Sequence, residues 1–201
     1  MPPWLPAPGH AEFLGERRLS DAEIATLARW RDAGAPEGDP RKSPPTPAWA
    51  TDWQLGAPDL IVRMPVAYTV PASGRDVYRH FILPLPLTQR RYVRAWEFRP
   101  HSRSVHHAFL RTDRTGEARR RDALDPEPGF PGMDTPMGVE APTGHFASWQ
   151  PGAPPRQNPP GLPWVIEPGN DLVMQMHLQP LGKPVPLQAE VGFYFTDQPP
   201  T

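Results

Sequence analysis

Three of the seven histidines in this chain sit inside apolar, strand-like runs, away from turns. His106 and His107 belong to Ser104-Val105-His106-His107-Ala108-Phe109-Leu110, and His177 belongs to Leu172-Val173-Met174-Gln175-Met176-His177-Leu178. Imidazoles ligate zinc, copper, iron and nickel, and ligands fixed on rigid strands hold a metal's geometry better than loops do. In the second run Leu172, Met174, Met176 and Leu178 share one face of a strand, while Val173, Gln175 and His177 share the other, so His177 lies on the more polar face. The adjacent pair is harder to place, because successive side chains on a regular strand point to opposite faces. His106 and His107 reach one ion only if a bulge or strong twist interrupts the strand between Val105 and His107. Otherwise one packs in the core and the other is solvated, and spacing alone leaves both arrangements open.

The elements that would carry these residues are short. Leu60 to Val66, Val77 to Leu83, Tyr92 to Phe98, Val105 to Arg111, Trp164 to Ile166, Leu172 to Gln179 and Glu190 to Thr196 are rich in branched and aromatic residues and are separated by Pro, Gly, Asp and Ser. That pattern predicts a mostly β, antiparallel sandwich. Thr115 to Pro142 has no periodicity and is expected to run as a long excursion over the surface. One helix is signalled: Ser20-Asp21-Ala22-Glu23 forms a capping box, Ile24, Leu27 and Trp30 follow at helical spacing, and Gly34 ends it. A proline-rich stretch then runs to about residue 50.

Composition narrows the chemistry further. The 32 prolines among 201 residues exclude long helices over most of the chain. Without cysteine, a disulfide framework, a thiolate metal site and covalent c-type haem attachment are all excluded. With 21 Lys and Arg against 22 Asp and Glu, there is no general field to draw in nucleic acid. No run is long and apolar enough for a membrane span. His10, His80, His101 and His145 have no partner at a useful spacing and read as structural or solvated. Met174 and Met176 read as core filling, and Met133 and Met137 as loop thioethers that could approach a soft metal only incidentally.

Leu60-Ile61-Val62-Arg63-Met64-Pro65, Tyr92 to Pro100, Val105-His106-His107, Trp149 to Pro155 and Leu172 to His177 together resemble the N-terminal domain of the copper type II, ascorbate-dependent monooxygenases. These are the peptidylglycine alpha-hydroxylating and dopamine beta-monooxygenase family. The likeness covers about residues 58 to 197, with Arg-Met-Pro, His-His and Gln-x-His in the same order. It implies a jelly-roll-like sandwich that holds one copper through His106, His107 and His177, with ascorbate as the external reductant. Gln175 would then be an outer partner of the site or a surface glutamine. Two features depart from the family: the disulfides of its animal members are absent, and its second domain, with the other copper and the substrate pocket, has no counterpart here. The resemblance therefore implies the electron-transfer half of a monooxygenase, partnered by a C-terminal copper domain and unable to hydroxylate alone.

Met1-Pro2-Pro3-Trp4 and the helix after it resemble the end of a bacterial class I cytochrome c, whose upstream segment would be a second partner. Without Cys-x-x-Cys-His, no haem is expected on this chain. The expected division is a cytochrome-like remnant over 1–40, a linker over 41–57, the sandwich over 58–197 and the start of an inter-domain linker at 198–201, within an exported parent protein. Two rivals stay open at this stage: a three-histidine zinc site acting in hydrolysis, and a metal-free sandwich that binds glycans or proteins.

Overall fold

The computed structural model describes residues 18–46 and 52–201, and the chain divides into two compact units, residues 1–49 and 50–201. Met1 to Trp4, on which the cytochrome likeness partly rests, and the linker residues 47–51 lie outside the described residues. In the first unit, helix α1 (Asp21–Asp32) starts where the capping box predicts: the Glu23 amide donates to Ser20 Oγ at 3.3 Å, and the Ser20 amide donates to the Glu23 carboxylate at 2.7 Å. No residue of α1 is buried, and Ile24, Leu27 and Trp30 stand about half exposed. The stripe expected to be amphipathic is thus not buried.

The second unit contains β1 (Leu60–Arg63), β2 (Tyr68–Val70), β3 (Val77–Pro84), β4 (Arg91–Arg99), β5 (Val105–Asp113), α2 (Glu117–Asp122), β6 (Phe130–Pro131), β7 (Val139–Glu140), β8 (Ala147–Trp149), β9 (Arg156–Gln157), β10 (Trp164–Ile166), β11 (Asp171–Leu178), β12 (Val185–Leu187) and β13 (Glu190–Thr196). One sheet runs β1-β13-β4-β10, with β9 also on β4. The other runs β6-β3-β11-β5-β7, with β8 also on β5, and β12 pairs with β2. Every pairing is antiparallel, as in a jelly-roll-like sandwich. Each strand anticipated from the sequence is present, while two- and three-residue strands such as β6, β7 and β9 are too short to leave a periodic signal.

The inner faces of the two sheets make the core. Leu172, Met174, Met176 and Leu178 of β11 all point into it, as their alternation predicts. The two methionines there are fully buried, in keeping with their reading as core filling.

Residues 115–142 do run over the surface, most of them exposed or half-buried, but they carry α2, β6 and β7. They fold back over the outer face of the second sheet and bury a smaller cluster of Ile82, Ala118, Phe130, Val139 and Val173. Two buried side chains pin this cover. Asp113 accepts hydrogen bonds from the amides of Thr115, Gly116 and Ala118. Arg79 donates to the carbonyls of Glu127, Pro128 and Gly129 and to the Asp125 carboxylate. At Gly129, with φ +77°, a Cβ would lie 2.2 Å from the His80 carbonyl oxygen, so only glycine permits the approach. Polar anchoring of this kind has no hydrophobic period, which is why the cover was not legible as structure.

Candidate metal centre

β11 is the central strand of its sheet, flanked by β3 and β5, and the site lies at one end of it on the outer face. His177 pairs with Tyr78 on one side and with His107 on the other. The next pair, Leu178 with Val105, skips His106, which is therefore the extra residue of a β-bulge. The consequence appears in the burial pattern: Val105 and Ala108 both point into the core, and both histidines between them point outward. Without the bulge, alternation would have sent His106 and His107 to opposite faces.

The three rings converge. Nδ1 of His106 lies 3.1 Å from Nδ1 of His107, and the His177 ring centroid lies 4.7 and 4.9 Å from those of His106 and His107. One ring nitrogen from each residue falls within 4.8 Å of the others. A metal bound at about 2.0–2.1 Å sets its nitrogen ligands roughly 3.3–3.6 Å apart, so small ring rotations would bring all three onto one ion. His107 is held below its ordinary pKa by burial first and then by the neighbouring His177 and His106. This favours the neutral imidazole that a metal needs.

His177 is the most enclosed of the three. Its Nε2 lies 2.6 Å from Asp76 Oδ2, its ring stacks on Tyr78 at 4.3 Å between centroids, and its Nδ1 is buried with no hydrogen-bond partner. Hydrogen bonds from His177 and Gln179 hold the Asp76 carboxyl below its usual range. On the other side the site opens into a cleft of about 520 Å³ lined by His106, His107, Phe109, Phe146, Ser148 and Trp149, among others. Phe146 at its edge is 77% exposed.

Gln175 lies on the same face as His177, but its hydrogen bonds go elsewhere: it accepts from Arg111 and donates to the Met133 carbonyl, tying β11 to the cover. It is buried, so it is not the surface glutamine of the alternative reading either. The partners that touch His177 are Asp76 and Tyr78, which the sequence did not single out. Asp76 is 101 residues away and precedes a strand whose pairing is not evident locally.

The other described histidines are placed outside the cluster. His101 meets Glu190 at 2.9 Å, and His145 lies within hydrogen-bonding distance of the carbonyls of Pro142 and Leu162. His80 is fully buried and stacks on Phe130. A second cleft, of about 360 Å³, has charged walls that largely satisfy one another through Arg90–Glu167 and Arg114–Glu140 pairs. No helix among the described residues is long and apolar enough to cross a membrane. Comparison with protein-family models, curated proteins and solved structures finds no match.

Proposed function

We propose that His106, His107 and His177 bind one copper ion per chain, and that the sandwich is the electron-transfer half of an ascorbate- and dioxygen-dependent monooxygenase. The observation that carries the metal reading is the bulge at His106, which brings two adjacent histidines to the face occupied by His177. A bulge disrupts ladder pairing, and here it gathers three imidazoles with no carboxylate or thiolate in the set. The buried, unpartnered Nδ1 of His177 also fits an ion, since an orphaned acceptor at that depth costs about 1–3 kcal/mol unless something satisfies it.

The choice of copper rests on two supports. Imidazole ligation favours copper among divalent first-row metals, and the order of Arg63-Met64-Pro65, His106-His107 and Gln175-x-His177 is that of the resembling family. Copper held this way would supply a one-electron couple. The protein's own part is to favour the neutral form of His107, fix the His177 ring against Tyr78 and leave His106 at the mouth of an open cleft where a small reductant can approach. The pocket that orients a C–H bond, and the second copper, are assigned to a partner domain.

Metal titration of the purified chain tests this reading. The expected result is one copper per chain, a Cu(II) resonance with nitrogen hyperfine structure, its loss on adding ascorbate, and no hydroxylated product from the chain alone. His107→Ala and His177→Ala should each weaken copper binding by more than about 100-fold, beyond the usual cost of removing an outer partner, while His145→Ala should not. Preference for zinc with water-activating hydrolysis, or no metal binding at all, would replace the copper reading with one of its rivals.

A further inference from the structure

We propose that Asp76 is the positioning residue of this centre: it holds His177 in the tautomer protonated at Nε2 and so presents the Nδ1 lone pair to the ion. What Nδ1 faces rests on the metal reading above; the tautomer does not.

An ionised carboxylate only accepts hydrogen bonds, so the 2.6 Å contact between Asp76 Oδ2 and His177 Nε2 requires the ring nitrogen to donate. A neutral imidazole has a single N–H, which leaves Nδ1 as an acceptor. That atom is buried and unpartnered in a side chain only 9% exposed, and the ring lies beside those of His106 and His107. Stacking on Tyr78, with 14° between the planes, hinders the ring flip that would put Cδ2 in the place of Nδ1 and Cε1 in the place of Nε2. The Gln179 side-chain amide donates to the same Asp76 oxygen at 3.3 Å and holds the carboxylate in place. A carboxylate behind a metal-ligating histidine fixes ring orientation and raises ligand basicity. Asp76, and not Gln175, is placed to do this.

The test uses the full chain labelled with ¹⁵N. Long-range proton–nitrogen correlation on the metal-free protein at neutral pH should show His177 carrying its proton on Nε2. In Asp76→Ala the ring should become a mixture of tautomers, with the fold unchanged by circular dichroism and copper affinity about 10–100-fold lower. Asp76→Asn, which keeps an acceptor but loses the charge, should fall between. A proton on Nδ1 in the wild-type ring, or unaltered copper affinity in Asp76→Ala, would overturn the assignment. Should the wild-type chain take up neither copper nor zinc, the metal reading fails, while the nitrogen spectrum still decides the tautomer.

Discussion

His80 shows how differently two histidines in one sheet can be used. It is fully buried, stacks on Phe130 at 4.7 Å between centroids, and neither ring nitrogen has a hydrogen-bond partner. Burial, reinforced by the Arg111 and Arg121 charges, pushes its pKa down from 6.5 to about 4. The unfolded chain therefore binds a proton that the folded chain refuses between those two values. Stability is fully present above pH 6.5 and declines as pH falls toward 4, by about 3 kcal/mol from this group at most. His80→Phe removes the titration and keeps a ring for Phe130. Urea unfolding at pH 7 and pH 4.5 should show a smaller loss of stability in the variant, and equal losses in both proteins would show that His80 carries no such linkage.

At the scale of elements, the bulge separates folding from site assembly. Val105 pairs with Leu178 and His107 with His177, so deleting His106 leaves both pairs available and makes the ladder regular. The deletion variant should unfold cooperatively, with stability changed by on the order of 1 kcal/mol, yet bind copper at least about 100-fold more weakly because the cluster loses a ligand. Thermal unfolding and copper competition on the same sample measure the two effects. Loss of cooperative folding would mean that the bulge is required by β5 itself and is not confined to the site.

For the molecule as a whole, both hydrophobic clusters and all three histidines belong to the unit spanning residues 50–201. No described residue of α1 is buried. A chain lacking residues 1–49 should keep a single cooperative unfolding transition and full copper uptake. Calorimetry beside metal analysis checks both, and a broad transition would show that the sandwich depends on the deleted unit.

What the sequence determined by itself is what depends on near neighbours. The Ser20–Glu23 capping box joins residues three apart, and the alternation from Leu172 to Leu178 sorts faces within one strand. Those readings, and the rule that adjacent histidines need a bulge to share a face, require only local geometry. Only tertiary structure decided whether the bulge exists, because it is a mismatch between two strands: β5 supplies one residue more than β11 can pair. It also decided that Asp76, not Gln175, stands behind His177, since contact across 101 residues depends on how β3 docks beside β11. The cover over residues 115–142 belongs with these, held by Arg79 and Asp113 through backbone groups that any sequence possesses and no periodicity records.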